Sequence, residues 1–405
     1  MSARRDALFA LALWKVRGAF PAATLRDAAD HAFALELAGT ALRHRASLEW
    51  AIRQCVKRLP DGELWAALLI GAAQLLCMPG VADHAAVSET VEAAKPAGRG
   101  AARFVNAVLR RIQRERDALL AGLERQSPWI RHNLPEALWT RWARRWGEAE
   151  TLALAEAIAN PPRTCVRPLS PFGAPADCPP HPDDPGGTFV VPHGRRVESL
   201  DGFAEGRFVA QDAATRHAVE LMEVRPGQHV LDLCAAPGGK TAQLAACLQG
   251  QGRLVANELS PARAATLRDT LARCRLDGFV AVTERDAAKP ELWRDERERF
   301  DAVLLDAPCS NTGVLGRRPD ARWTWTARKM RQLCATQAAL LDAAAGCVVP
   351  GGRLVYSTCS IENEEDEDQI AAFLARHPDF TLETSRLERP APLHDGAYAA
   401  LLRRH

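Results

Sequence analysis

The spacing of apolar residues divides the chain into two regions with different predicted secondary structure. From residue 1 to about 125, Ala- and Leu-rich segments carry apolar residues at helical intervals, with short breaks at 59–63 and 77–87. A further helical stretch begins near Trp129 and ends before Pro161-Pro162, since two prolines cannot continue a helix. The pattern therefore predicts an all-α N-terminal part.

From about residue 207 the pattern changes to short apolar runs that alternate with helical segments. The runs are HVLDLCAAP, GRLVANELS, FVAVTERDA, FDAVLLDAPC and GRLVYSTCS. Continuous apolar strands separated by helices are typical of a parallel, doubly wound α/β sheet of the Rossmann-like kind. The many prolines and glycines of 161–200 predict loops. We therefore predict a multidomain chain with a helical domain at 1–125, a small linking subdomain at 126–206 and an α/β domain at 207–405.

Composition adds few constraints to this picture. The chain is 47% hydrophobic, but no apolar run approaches the roughly 20 residues of a membrane span. Trp14, Lys15 and Arg17 interrupt the first apolar stretch, which predicts an amphipathic helix rather than a signal peptide. The 11 cysteines include no C-x-x-C pair, so we expect neither a disulfide framework nor a zinc site. We expect a cytoplasmic protein with reduced thiols, no bound metal and no membrane contact.

The turn after the first strand of the sheet predicts a cofactor site. Ligands bind at the carboxyl ends of strands in such sheets, and an acid at the end of the next strand typically binds ribose hydroxyls. The turn lacks both the G-x-G-x-x-G and the Walker spacing, so it indicates an adenosine ligand without a pyrophosphate, and S-adenosylmethionine fits. The predicted cofactor-binding residues are Cys234, Ala235, Ala236, Pro237, Gly238, Gly239, Lys240, Glu258, Asp286 and Asp306.

Three sequence motifs that include the predicted cofactor turn resemble the motifs of a known protein family. LDLCAAPGGKT, LLDAPCSNTGVLGRRPDARW and LVYSTCSIENEEDEDQI resemble the bacterial Sun/Fmu (RsmB) family of 16S ribosomal RNA cytosine-5 methyltransferases. DHAFALELAGTALRHRASLEW, VADHAAVSETVEAAK and ARFVNAVLRRI resemble the NusB-like RNA-binding domain of that family. The resemblance implies S-adenosylmethionine as cofactor and 16S ribosomal RNA as substrate. A monomer is the simplest expectation.

Methylation of cytosine at carbon 5 requires several functional groups, and three residues at neighbouring strand ends are candidates for them. Carbon 5 becomes nucleophilic only after a thiolate adds at carbon 6, and the reaction also needs a group at ring nitrogen 3 and a release device. Cys359, Cys309 and Asp306 are the candidates, and Asp306 would have to be protonated in a dry pocket to donate a hydrogen bond to ring nitrogen 3. The Pro-Cys motif alone would suggest Cys309 as the nucleophile. The family resemblance instead implies that Cys359 attacks and that Cys309 assists release of the product.

Two charged segments near these cysteines have less specific interpretations. Arg317, Arg318, Arg322 and Trp323 form either a charged surface loop or an RNA contact, with arginines on phosphates and an aromatic ring near the flipped base. The acidic run 362–368 predicts a solvated helix start with Asn363 as its cap.

Three other functions remain open at this point. A non-catalytic RNA-binding or assembly protein would have no use for an intact cofactor turn and two thiols. Amino-group methylation usually employs an [N/D/S]-P-P-[Y/F] loop, whereas the corresponding loop here is Asp306-Ala307-Pro308-Cys309. The same carbon-5 chemistry on transfer RNA or another RNA is argued against by the NusB-like resemblance alone.

Overall fold

The computed structural model describes residues 2–18, 20–296 and 299–405 and contains two compact units. The first unit comprises Met1–Asn160 and Leu315–Trp325, and the second comprises Pro161–Val314 and Thr326–His405. The linking subdomain predicted at 126–206 is therefore divided between them. The reason is that the segment 128–133 contacts the helix Arg45–Cys55, where Asn133 accepts hydrogen bonds from the main chain and the hydroxyl of Ser47, whereas the Pro- and Gly-rich residues form strands of the second unit.

The first unit is helical, as its sequence predicts. Its helices in the range 2–160 are α1 (Ala3–Arg17), α2 (Pro21–Thr24), α3 (His31–Arg43), α4 (Arg45–Cys55), α5 (Gly62–Cys77), α6 (Asp83–Ala94), α7 (Arg99–Arg114), α8 (Arg116–Leu123), α9 (Pro128–Arg131), α10 (Glu136–Trp146) and α11 (Glu148–Ala157).

Helix α5 forms the centre of this unit. It is apolar on all sides and packs against α1, α3, α4, α6 and α7, which is the environment that such a helix requires. Gly71 allows α7 to approach closely, because a Cβ atom there would lie 2.5 Å from Leu109 Cδ1. Within the described part of the chain, no helix has both the length and the hydropathy to cross a bilayer.

The second unit combines a small sheet with a large one. Its elements, together with α15 from the segment that belongs to the first unit, are β1 (Cys165–Pro168), β2 (Pro180–His181), β3 (Asp184–Val190), β4 (Phe208–Ala210), α12 (His217–Glu220), β5 (His229–Asp232), α13 (Gly239–Leu248), β6 (Arg253–Asn257), α14 (Pro261–Arg273), β7 (Val280–Thr283), β8 (Phe300–Asp306), α15 (Pro319–Thr324), α16 (Ala327–Ala345), β9 (Val348–Thr358), α17 (Glu367–Arg376), β10 (Phe380–Glu388) and β11 (Ala397–Arg404).

The large sheet has the strand order β10-β11-β9-β8-β5-β6-β7. Strands β5 to β9 are parallel, whereas β11 is antiparallel to both of its neighbours. The sheet is therefore mixed rather than fully parallel, because the last two strands are joined by a loop and not by a crossover helix. The chain reverses its direction of travel between β5 and β8, so their carboxyl ends form the crevice in which such sheets bind ligands.

Both faces of the central strands are covered. In β5 and β8, Leu231 and Leu305 belong to the apolar core on one side of the sheet, and Val230 and Leu304 belong to the core on the other side. Burial on both faces explains why these strands read as continuous apolar runs.

The Pro- and Gly-rich segment forms an antiparallel sheet where loops were expected. Its strand order is β2-β3-β1-β4. The strands are short, and β2 and β3 carry prolines and glycines that sequence patterns assign to turns. Strand β1 pairs with residues that are distant in the chain. Val166, for example, lies opposite both Phe189 and Ala210.

Candidate active site

Strand β5 ends in a buried carboxyl group. Asp232 is 1% exposed, and its Oδ2 accepts a hydrogen bond from the Thr241 hydroxyl at 2.7 Å. Its other oxygen, Oδ1, is buried and has no hydrogen-bond partner among the described residues. Burial raises the pKa of Asp232 to about 7. A buried acceptor without a partner at a strand end is a group that a bound ligand can satisfy.

The turn between β5 and α13 requires glycine at one position. Gly238 has φ +104°, and a Cβ atom there would lie 2.9 Å from Leu267 Cδ1. Helix α13 then begins at Gly239. The turn therefore presents main-chain groups and small side chains to the space in front of the strand end.

A cavity of about 220 Å³ lies at this place. Predicted cofactor residues that line it are Cys234, Ala235, Ala236, Pro237, Gly239, Lys240 and Asp306. Its other lining residues are Ala210, Gln211, Asp212, Thr215 and Asp232. Gly238, Glu258 and Asp286 are not part of its lining. The segment before β5 thus contributes a wall for which the sequence had suggested no chemical role.

The two acids after β6 and β7 are held by their own turns. Glu258 is 5% exposed and accepts a hydrogen bond from the main-chain N–H of Ser260 at 3.0 Å. Arg263 lies 3.4 Å from Glu258 and also donates to the Ala236 carbonyl, which connects this acid to the cofactor turn. Asp286 accepts a hydrogen bond from the main chain two residues further on.

Strand β8 ends at Asp306, whose two carboxylate oxygens have different partners. Oδ2 accepts from Lys240 Nζ at 2.7 Å, and Oδ1 accepts from the Ser357 hydroxyl at 2.7 Å. Burial disfavours the charge on Lys240, but the carboxylate of Asp306 outweighs it and raises the Lys240 pKa. Lys240 is therefore an ammonium ion, and its ion pair joins the cofactor turn to the strand end.

Two thiols meet beyond the carboxyl ends of β8 and β9. Cys309 Sγ and Cys359 Sγ lie 3.1 Å apart. Cys309 is 9% exposed, and Cys359 is half-buried. The hydrogen bond with Cys359, followed by burial and by the charges of Cys359 and Glu365, raises the pKa of Cys309 well above its usual range. Cys309 therefore holds its proton.

Asn311 contacts both cysteine segments, and sequence reasoning did not select it. Its Oδ1 accepts a hydrogen bond from Cys359 Sγ at 3.3 Å, and its Nδ2 donates to the Cys309 carbonyl at 3.0 Å. Its φ of +63° lies in the left-handed region, which asparagine tolerates better than most residues. An asparagine two residues after a candidate cysteine, in a turn that ends in glycine, was the available signal.

The acidic run 362–368 is a solvated helix start only at Glu367 and Asp368, which are exposed in the first turn of α17, and the cap is Asp366 instead of the predicted Asn363. Its residues Glu362, Glu365 and Asp366 are each 0% exposed. Asp366 accepts a hydrogen bond at 2.6 Å from the hydroxyl of Thr358, and Thr358 directly precedes Cys359 in the chain. Burial raises the pKa of both Glu365 and Asp366. This part of the run therefore lies beneath the Cys359 segment instead of in solvent.

The four residues predicted to contact RNA belong to the segment Leu315–Trp325 of the first unit. Arg322 is 1% exposed, and its guanidinium donates to the carbonyls of Arg43, Asn133, Ile158 and Leu315. The prediction of a phosphate contact is therefore wrong for Arg322, which joins main-chain segments of its unit. Trp323 donates through Nε1 to the Leu42 carbonyl at 2.7 Å, so its ring packs against the helical core. Arg317 and Arg318 are half-buried.

The contacts of Arg322 predict a large effect on stability. In Arg322→Leu, buried carbonyls lose their donors, so we expect the free energy of unfolding of the helical unit to fall by about 3 kcal/mol. Urea titration followed by circular dichroism measures the change. The matched control is Arg103→Leu on the exposed face of α7, for which we expect a change within about 0.5 kcal/mol. Equal effects of the two substitutions would contradict a structural role for Arg322.

Solved structures share this fold. The protein PH0851 matches with a TM-score of 0.82 at 23% sequence identity, over 99% of this chain and 98% of its own. A methyltransferase homolog protein from Pyrococcus horikoshii has a TM-score of 0.59 at 24% identity, over 69% of this chain and 100% of its own. At these identities the likeness concerns the fold.

Two curated proteins have a higher sequence identity to this chain than these two structures have. Ribosomal RNA small subunit methyltransferase B of Klebsiella pneumoniae subsp. pneumoniae is 35% identical over 379 residues, which is 87% of this chain and 83% of that protein. The protein of the same name from Xanthomonas campestris pv. campestris is 38% identical over 376 residues, with 87% and 81% covered.

Family-level matches agree with both predicted domain types. Residues 1–114 match the NusB family, and residues 219–401 match the family described as 16S rRNA methyltransferase RsmB/F. The helical N-terminal domain and the Rossmann-like methyltransferase domain are thereby confirmed. With these matches and relatives over most of its length, the chain belongs to the RsmB/F family of 16S rRNA methyltransferases.

Proposed function

We propose that this chain transfers a methyl group from S-adenosylmethionine to carbon 5 of a cytosine in 16S ribosomal RNA, through a covalent bond between Cys359 and carbon 6 of the base. The observation that carries the proposal is the pair of thiols 3.1 Å apart at two adjacent strand ends. Methylation of an amino group or a hydroxyl needs no sulfur nucleophile, whereas attack at carbon 6 needs one sulfur to add and a second group to release it.

The cavity at the end of β5 suits the cofactor. The buried oxygen Asp232 Oδ1 is an acceptor that the protein leaves unused among its described residues, and the turn exposes main-chain groups beside it. Glu258 lies outside the lining of this cavity, but Arg263 joins it to the Ala236 carbonyl of the turn, so we assign it the ribose hydroxyls of an adenosine group. When bound, S-adenosylmethionine supplies an electrophilic methyl group on a sulfonium.

The residues around the thiols have separate roles in this reaction. Cys359 loses its proton to solvent and adds as a thiolate to carbon 6 of the cytosine, which makes carbon 5 nucleophilic. Negative charge develops at ring nitrogen 3, and we assign its stabilisation to the Lys240 ammonium. Asp306 positions this ammonium through their ion pair, instead of donating a proton itself. After carbon 5 has gained its methyl group, water takes the proton of carbon 5, the electron pair of that C–H bond restores the C5–C6 double bond, and the carbon 6–sulfur bond breaks to release Cys359 as a thiolate. Cys309, which holds its proton, donates it in a hydrogen bond to the departing sulfur of Cys359.

The role of Glu258 predicts a loss of cofactor affinity. Glu258→Ala removes a buried charged acceptor, so we expect the Kd for S-adenosylmethionine to rise about 10- to 100-fold. Isothermal titration calorimetry without RNA measures this directly. Glu291→Ala, at an exposed acid, is the matched control and should bind like the unchanged protein. Unaltered affinity in Glu258→Ala would remove this residue from the cofactor site.

The position of the methyl group tests the function itself. We would incubate the protein with small-subunit ribosomal RNA and S-adenosylmethionine, digest the RNA to nucleosides and identify the product by mass spectrometry. The proposal predicts 5-methylcytidine. A methyl group on a base amino group or a ribose hydroxyl would contradict it.

A further inference from the structure

Glu365 is buried between the two segments that carry the thiols. It is 0% exposed and lies in the loop that precedes α17. The mechanism described above uses Asp306, Lys240, Cys309 and Cys359 and gives Glu365 no part. A fully buried carboxyl group within the active-site region is costly unless its oxygens are satisfied by specific donors.

The donors to Glu365 come from the residues next to each cysteine. Oε1 accepts from the main-chain N–H of Ser310 at 2.9 Å, and Oε2 accepts from the Ser310 hydroxyl. Oε2 also accepts from the Ser360 hydroxyl at 2.6 Å. Ser310 follows Cys309 in the chain, and Ser360 follows Cys359. One carboxyl group therefore joins the two cysteine segments directly.

Glu365 accepts further hydrogen bonds from residues of α16 and β9. Gln337 in α16 donates through Nε2 to Glu365 Oε1 at 3.2 Å and to the Pro308 carbonyl at 2.9 Å. The Tyr356 hydroxyl donates to the Glu365 carbonyl at 2.6 Å. Both the side chain and the main chain of Glu365 are thus fixed to rigid elements of the sheet domain.

The donors to the carboxyl group named above are all neutral. Two are serine hydroxyls, one is a main-chain N–H and one is an amide. Such a set orients a carboxyl group strongly without forming an ion pair, and hydroxyls can either donate or accept. An amide of the same shape could therefore make the same number of hydrogen bonds.

We propose that Glu365 is a positioning residue that holds Cys309 and Cys359 in the mutual geometry that release of the methylated product needs. The proposal rests on the proposed carbon-5 chemistry for its consequence in catalysis. Its geometric part is independent, because the separation of the two sulfurs can be tested without RNA or cofactor.

The first test measures how readily the two thiols couple. Diamide oxidises two thiols to a disulfide, with both hydrogens transferred to the reagent, and mass spectrometry of the joined peptides identifies the Cys309–Cys359 product. We expect Glu365→Ala to form this disulfide about tenfold more slowly than the unchanged protein. Glu365→Gln should couple at close to the original rate, because its amide reproduces the hydrogen bonds. Glu367→Ala, on the exposed start of α17, is the matched control.

The second test measures catalysis on 16S ribosomal RNA. In Glu365→Ala the covalent protein–RNA adduct should decay about 100-fold more slowly, with an unchanged KM for RNA, and Glu365→Gln should restore decay. Wild-type coupling and decay in Glu365→Ala would overturn the proposal. So would a Glu365→Gln variant as impaired as Glu365→Ala, since that would assign the role to charge.

A second variant covers the case in which Glu365→Ala does not fold. Ser310→Ala removes one hydroxyl donor while the main-chain donor stays, so coupling should slow by a smaller factor, and an unchanged rate would count against the proposal. The positioning role of Glu365 and the carbon-5 chemistry can be refuted independently of each other. Slower coupling in Glu365→Ala, together with no 5-methylcytidine from the unchanged protein, would refute the carbon-5 chemistry and retain the positioning role.

Discussion

Cys359→Ala is expected to form neither methylated RNA nor a covalent adduct, with turnover reduced at least about 10,000-fold. The reason is chemical, since without addition at carbon 6 the cytosine has no nucleophilic carbon 5. Cys309 loses its hydrogen bond with Cys359 in this variant, but burial and the charge of Glu365 still raise the pKa of its thiol, so it is a poor substitute nucleophile.

Two measurements check this result. Incorporation of a labelled methyl group into small-subunit ribosomal RNA gives the rate, and a denaturing gel shows the adduct. Cys247→Ala is the matched control, because Cys247 is an exposed thiol on α13 and its replacement should change neither readout. Methylation by Cys359→Ala at near the original rate would contradict the assignment of Cys359 as the nucleophile.

Cys309→Ala is expected to have the opposite phenotype and to accumulate the covalent adduct. Attack by Cys359 and methyl transfer proceed once, but the departing sulfur has lost its hydrogen-bond donor. We expect steady-state turnover to fall about 100- to 1,000-fold while the first turnover remains, which lies within the roughly 100- to 10,000-fold contribution of a general acid or base.

A rapid-quench time course separates the two phases. The amount of methyl group transferred in the first turnover should equal the amount of adduct on the gel. If Cys309→Ala showed no first turnover, Cys309 would be needed for attack, and the roles of the two thiols would have to be exchanged.

The parallel sheet and the meeting of the two cysteines could be predicted from sequence. Continuous apolar runs predict strands buried on both faces, and the carboxyl ends of adjacent parallel strands lie at one edge. Cys309 and Cys359 each follow such a run, so their proximity follows from the pattern, and Asp306 follows from the same argument. The antiparallel β10–β11 pair and the small proline-containing sheet could not be predicted from the sequence pattern, because their pairing depends on tertiary contacts between segments.

Burial of charged groups could not be predicted in the same way. An acidic run at a helix start is normally solvated, and nothing local indicates that donors arrive at Glu365 from Ser310 and Gln337, which lie 55 and 28 positions away in the chain. Arg322 is similar, since its acceptors include the carbonyl of Arg43, 279 positions distant. Tertiary contacts of this range override local pattern.

The identity of the sulfur that bonds to the base tests the central claim most directly. RNA that contains 5-fluorocytidine traps the unchanged protein, because fluorine at carbon 5 cannot leave as a proton does and the carbon 6–sulfur bond then persists. The trapped protein would be digested with trypsin and ribonuclease and the modified peptide sequenced by mass spectrometry. We predict the nucleotide on Cys359. A nucleotide on Cys309, or the absence of any trapped species under conditions in which the unsubstituted RNA is methylated, would contradict the account.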